Sequence, residues 1–253
     1  MRTASRIPAR LGTISAALLI VLAGCQTASE ISRPDGLTES QLETAVAAES
    51  SGDYPSAVVQ YRQLSLRLTD DVDIYLGLAR NLRYSGAAAE AFQTLARIPD
   101  SLKDGPSYLL ERGKVELATG RKAEAVKSLE AARAKDGENW DVHATLGIAH
   151  DMNDDFARAR HAYERAAALS KDNPAILNNM AISRALSGDI ESAIKILQQA
   201  PMVARHSAQM RQNLALFYGI IGDVKKAESL ARIDLDDEAV RQNLKLYTTL
   251  RRN

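Results

Sequence analysis

Few residues in this chain have the types that chemistry requires, and their spacing argues against most of what they could do. His143 and His150 are seven residues apart and His161 follows eleven later. Imidazoles gathered on helices bind metals or carry protons. Two helical turns separate the first pair, however, and the H-E-x-x-H spacing that aims two imidazoles at one zinc ion is absent. The three are read as polar residues of a helical surface. Asp151-x-Asn153-x-Asp155 begins like a calcium loop, but Phe156 stands where the sharp turn needs glycine and Ala162 where the bidentate glutamate belongs. Neither G-x-x-x-x-G-K-[ST] nor G-x-G-x-x-G occurs, and no serine, cysteine or histidine constellation supplies an activated nucleophile. The sequence predicts no enzyme, with no catalytic residue, metal, cofactor or small-molecule substrate.

The remaining reactive side chain is Cys25, the only cysteine, which rules out an internal disulfide framework and a multi-thiolate metal site. Residues 1–24 hold Arg2, Arg6 and Arg10, then an apolar run over residues 14–22 and small residues, the layout of an export signal. The run is too short to span a bilayer. Leu22-Ala23-Gly24-Cys25 resembles the bacterial lipobox. That resemblance implies that residues 1–24 are removed as a lipoprotein signal peptide and that Cys25 carries a diacylglyceryl group on sulfur and a further acyl chain on its amine. At about 0.8 kcal/mol per buried CH₂, several such chains anchor a protein to a membrane without any spanning helix. Gln26, rather than aspartate, after the cysteine resembles the address of the outer membrane, on its periplasmic face in a Gram-negative envelope. Residues 25–37 are then the lipidated cysteine and a polar tether containing Pro34 and Gly36, with a reach of roughly 20 Å.

Any site must be positioned by the rest of the chain, which is a repeated helical hairpin. Leu177, Met180 and Ala181, then Ile190, Ala193, Ile194 and Leu197 beyond Gly188-Asp189, fit two amphipathic helices around a tight turn. Steps of 34 residues from Ala193 land on Ala57, Ala91, Ala125, Ala159 and Ala227. With units counted from residues 38, 72, 106, 140, 174 and 208, position 15 is Gly52, Gly86, Gly120, Asp154, Gly188 and Gly222, as a left-handed turn prefers. Position 8 is always alanine or glycine, which lets the two helices approach closely. Position 24 is large in the first five units, and Pro106 and Pro174 open units. Beyond Asp236, a helix placing Val240, Leu244, Tyr247 and Leu250 on one face is expected to cap the stack.

A 34-residue helical-hairpin period with small residues at positions 8 and 20 resembles the tetratricopeptide repeat. The expected fold is all-α: a right-handed tetratricopeptide-repeat superhelix of six hairpins over residues 38–241, plus a C-terminal capping helix over residues 236–253. Composition agrees, since aromatic residues make up only 5% and no alternating β-branched runs predict strands. Formal net charge is zero, and without the three N-terminal arginines 29 basic residues face 32 acidic ones, a balance that predicts no nucleic-acid role.

Such a stack offers a concave groove lined by first helices, chiefly at repeat positions 2, 5, 9, 12 and 13. In the first half these include Leu42, Val46, Leu76, Arg80, Arg83, Leu110, Lys114 and Leu117, and in the second half Asn178, Ile182, Gln212 and Leu216. This predicts an apolar wall with a small basic patch, suited to a helical or extended peptide of a protein partner. It departs from the two-carboxylate clamp of chaperone-binding repeats, since no fifth position is basic.

The final portion narrows the field. Arg211-Gln212-Asn213-Leu214, Ala227-Glu228, Leu230-Ala231, Asp234-Leu235-Asp236 and Asn243-Leu244 resemble the C-terminal end of TadD-type lipoproteins of the tight-adherence, or Flp, pilus machinery. That resemblance implies a pilotin-like or scaffold role in pilus assembly and Tad secretion, without catalysis, and a secretin or another pilus-assembly component as partner. The alternative is a periplasmic lipoprotein adaptor that recruits cell-wall hydrolases or proteases.

Overall fold

The computed structural model describes residues 36–202 and 207–251. Cys25, the expected export signal and the expected tether up to residue 35 lie outside the described residues. Among those described there are helices and turns and no strand. The helices are α1 Gly36–Ser50, α2 Tyr54–Arg67, α3 Val72–Tyr84, α4 Ala88–Ala96, α5 Pro106–Ala118, α6 Lys122–Lys135, α7 Trp140–Asp151, α8 Phe156–Leu169, α9 Pro174–Leu186, α10 Ile190–Gln199, α11 Ala208–Ile221, α12 Val224–Ala231 and α13 Asp237–Arg251. They pair as six antiparallel hairpins followed by one helix. Gly36 and Leu37, expected in the tether, form the first turn of α1.

Each hairpin begins and turns by local rules that recur at fixed repeat positions. Asp71, Asn139 and Asn173 end their units and cap the next first helix, accepting from the backbone N–H of Asp73, Asp141 and Ala175. Asp53, Asp155, Asp189 and Asp223, all at position 16, cap second helices by accepting from Ser56, Arg158, Ser192 and Lys226. Ala87 and Arg121 hold that position in α4 and α6 and provide no side-chain cap. Between the helices, all six turn residues are left-handed: the glycines from Gly52 to Gly222 have φ between 76° and 91°, and Asp154 has φ 59°. Aspartate is one of the few side chains that tolerates this region.

Packing follows from the small residues. The position-20 alanines Ala57, Ala91, Ala125, Ala159, Ala193 and Ala227 are all 0% exposed, and large position-24 side chains close over position 8. A Cβ on Gly147 would stand 2.5 Å from Cε1 of Tyr163, so no larger residue fits while that ring stays in place. Each second helix packs on the next first helix, and α3–α5, α5–α7, α7–α9 and α9–α11 also touch, so the stack is built from neighbours only.

At the C-terminal end, α13 lays Val240 against Ala215 and Ala231, and Tyr247 over Gly219. Position 24 shrinks to Ala231 in the last hairpin because α13 supplies the missing volume. Leu244 is half-buried there, whereas Leu250, expected on the same face, is 43% exposed.

Candidate partner-binding groove

The first helices α1, α3 and α5, with the start of α7, wall a pocket of about 470 Å³. Six of the residues expected in the groove meet there: Leu42, Val46, Leu76 and Leu110 form the apolar part, with Arg80 and Lys114 beside them. Val46 is 47% exposed and Leu42 and Leu110 are half-buried, whereas Leu76 is buried at 6%, so part of the apolar wall is open to a partner. Position 9 places Val46, Arg80 and Lys114 along one line of the stack, and position 5 places Leu42, Leu76 and Leu110 along the next.

The expected basic patch is not present as such, because each cation meets a carboxylate. Arg80 pairs with Glu49 at 2.8 Å, Arg83 with Glu111 at 2.9 Å and Lys114 with Asp141 at 2.5 Å. Arg83 is nearly buried, and its guanidinium lies 4.4 Å from the ring centroid of Tyr84. Burial disfavours its charge, but the Glu111 carboxylate more than offsets this, so Arg83 holds its proton more firmly than an ordinary arginine. It is a tie between α3 and α5 rather than a groove cation.

Position 12, expected to face the groove, instead points inward. Leu117 and Asp151 are each only 9% exposed, and Arg83 joins them. The reason is helical spacing: position 12 lies one turn after the small residue at position 8 and so shares its packed face. In the first hairpin Glu49 at this position accepts a hydrogen bond from Tyr61 at 3.1 Å. Burial first, then the charge of Glu49, push the Tyr61 hydroxyl up to about 12.

In the second half, the expected groove residues turn to neighbours. Asn178 is buried, and its side-chain oxygen accepts from Asn213 Nδ2 at 2.7 Å. Gln212 donates to Asp234 at 3.0 Å, while Ile182 and Leu216 pack half-buried on the adjoining core. Arg211 also donates to Asp234 through Nε at 2.9 Å. The Arg-Gln-Asn run and the Asp-Leu-Asp run of the C-terminal segment are therefore bonded to each other and to the preceding repeat, and Asp236 caps α13 through the N–H of Ala239.

The groove also holds acidic residues outside the expected set. Asp71, Asp73, Glu111 and Asp141 line it, and Asp71 and Asp73 are exposed and form no ion pair among the described residues. Asp73 and Asp141 occupy position 2, so the repeat frame itself carries the signal. Chemically, the pocket offers apolar contacts and two carboxylates, which suits a peptide carrying apolar side chains and a basic residue. Among the described residues, no group of three or more histidine, cysteine or acidic side chains could hold a metal ion.

Tetratricopeptide-repeat family models match residues 110–174 and 152–216, and neither describes a catalytic family. No curated protein sequence matches the chain. Among solved structures, a thermophilic tetratricopeptide-repeat protein of Thermus thermophilus is 17% identical over 71% of this chain and 98% of its own, with a TM-score of 0.66. A chain of the Cut9–Hcn1 hetero-tetramer of the APC/C is 17% identical over 83% of this chain and 42% of its own, with a TM-score of 0.65. The PilF protein of Pseudomonas aeruginosa is 16% identical over 76% and 88%, with a TM-score of 0.57. These are likenesses of fold. The chain has the all-α fold of a tetratricopeptide-repeat superhelix.

Proposed function

We propose that the protein is a lipid-anchored scaffold of tight-adherence pilus assembly. Cys25 holds it at the periplasmic face of the outer membrane, and the groove of its first three hairpins binds a segment of the secretin or of another secretion component. The observation that carries the reading is the groove: exposed Val46 with half-buried Leu42 and Leu110, backed by buried Leu76, beside the exposed carboxylates of Asp71 and Asp73. The lipobox-like residues 22–25 and the C-terminal likeness to TadD-type lipoproteins support the placement and the pathway.

A photo-crosslinking side chain at Val46 of the full-length protein, activated in cells, tests it. Secretin or a pilus-assembly protein is the expected adduct, and deletion of the gene should lower secretin multimers and surface pili. Adducts of cell-wall hydrolases or proteases would transfer the groove to the adaptor reading. Normal pili and multimers in the deletion strain would sink the pilus role.

A further inference from the structure

On the other side of α7 from the groove, helices α6, α7 and α8 enclose a second pocket, of about 230 Å³. Asp141 faces the groove; at about 100° per residue, His143 and His150 fall on the opposite face of the same helix, and both line the second pocket. Helix α8 adds Arg158, His161 and Arg165, and α6 adds Arg133 with a single carboxylate, Glu130. Three histidines that are far from any metal-ligating pattern in sequence are thus gathered with three arginines around one cavity.

The balance of groups points to the ligand. Cations outnumber carboxylates in the lining, and a guanidinium recognises an oxyanion through paired N–H donors. The partners the arginines already have are weak competitors: Arg133–Glu130, Arg158–Asp155 and Arg165–Glu138 are ion pairs whose arginine side chains are 51%, 73% and 47% exposed. His150 is only 7% exposed as a residue, and its ring lines the pocket without being among the buried side-chain atoms that lack a hydrogen-bond partner. His143 has Nε2 at 2.9 Å from the carbonyl oxygen of Gly137, so that nitrogen is the donor in this bond.

We infer that this pocket is a binding site for a phosphate- or sulfate-type oxyanion, held by Arg133, Arg158 and Arg165 and held more tightly once its imidazoles are protonated. The groups facing His150 are Glu130 from α6, Arg158 and the capping Asp155 at α8, and Asp151 beside it on α7. Burial lowers the His150 value, with Arg158 acting the same way against the three carboxylates. A bound oxyanion reverses that balance and draws in the proton. The site stands apart from the groove and does not depend on what the groove binds.

Sulfate is the suitable probe, because its charge does not change between about pH 5.5 and about pH 7.5. Sulfate is titrated into the full chain in detergent micelles at constant ionic strength, with the histidine ring signals followed by NMR. The expected result is saturable movement of the His143 and His150 signals, with affinity at least about threefold higher at the lower pH. Arg158→Gln/Arg165→Gln should weaken binding roughly tenfold without lowering the melting temperature, since both side chains are exposed. His150→Gln should flatten the pH dependence. Displacement of sulfate by inorganic phosphate alone identifies a free ion, and displacement by phosphatidate but not by phosphatidylcholine added to the micelles identifies a lipid headgroup. Ring signals that drift without saturating, or equal affinity in the double arginine variant, would overturn the assignment.

Discussion

Tyr163 donates its hydroxyl hydrogen bond to Asp151 at 2.9 Å, inside the fourth hairpin, and the other oxygen of Asp151 accepts from Ser183 of the next hairpin at 2.7 Å. The same arrangement, three units earlier, joins Tyr61, Glu49 and Arg80. One carboxylate at position 12 thus closes its own hairpin and ties it to the following one. Tyr163→Phe would leave a buried carboxylate oxygen without its donor, at about 1–3 kcal/mol, whereas Tyr61→Phe should cost less because Glu49 keeps Arg80. Urea denaturation of the two variants compares them directly.

Burial raises the Asp151 carboxyl, and the hydrogen bonds from Ser183 and Tyr163 only partly counter it. A raised folded-state value means the folded protein holds this proton more firmly than the unfolded chain. The stabilisation it brings is full below the ordinary carboxylate range and is lost as pH rises through the folded value. Asn at this position does not titrate, so the deficit of Asp151→Asn relative to the parent should be larger at about pH 4.5 than at about pH 7.5. Equal deficits in urea midpoints at both values would contradict the raised carboxyl.

Arg83 and Arg80 look alike in sequence and differ in cost. Arg83→Ala strips the partner from Glu111, which is 6% exposed, and should destabilise by roughly 3 kcal/mol. Arg80, 42% exposed in its pair, should cost under about 1 kcal/mol on the same change. Thermal melts at matched pH separate the two.

Ala87 occupies the capping position that aspartate fills in four hairpins, with φ −92° and ψ 47° against −81° and 67° at Asp53. Ala87→Asp should therefore cap α4 and raise stability by about 1 kcal/mol. The aspartates already there, Asp53, Asp189 and Asp223, have carboxyls held below their ordinary value, chiefly by hydrogen bonds from Ser56, Ser192 and Lys226. Their contribution is present above the ordinary carboxylate range and is lost as pH falls through the lowered values, so the gain from Ala87→Asp should fade in acid.

Ala159 is 0% exposed between α7 and α8, and leucine there should overpack the hairpin by about 1–3 kcal/mol. Glu164, 52% exposed and 3.7 Å from His161, should accept lysine with little change. Equal melting temperatures for Ala159→Leu and Glu164→Lys would be inconsistent with the packing.

Cys25→Ser should move the protein from the membrane to the soluble fraction. Cell fractionation with an antibody reads this directly, and continued membrane attachment would remove the lipid anchor from the proposed function.

The period was legible because its markers are steric and local. A small residue wherever two helices meet, and glycine or aspartate wherever the backbone turns left-handed, can be counted without knowing any long-range contact. The groove was harder to read. Leu42, Val46, Leu76 and Leu110 line one pocket because their positions repeat, whereas a one-turn offset from position 8 buries Leu117 and Arg83. The acids at the groove and the partners of its cations come from other units, 27 to 31 residues away, as in Lys114–Asp141 and Arg80–Glu49. Repeat positions considered one unit at a time do not register such pairs. The histidine pocket is hidden for the same reason: its lining is drawn from α6, α7 and α8, so no motif records their meeting.

The ties between hairpins also give the stack a direction in which it yields. On the groove side, Arg83–Glu111 is sheltered from water, with both side chains under 15% exposed. On the second-helix side, Arg62 reaches Glu90 between α2 and α4 with both side chains about half exposed. Straightening the stack stretches the sheltered pair, and curling it further stretches the wet one, which breaks at little cost. The joint between the second and third hairpins, held by the sheltered Arg83–Glu111, therefore resists being pulled flat, whereas the joint between the first two, held by the wetter Arg80–Glu49 and Arg62–Glu90, yields at little cost in either direction.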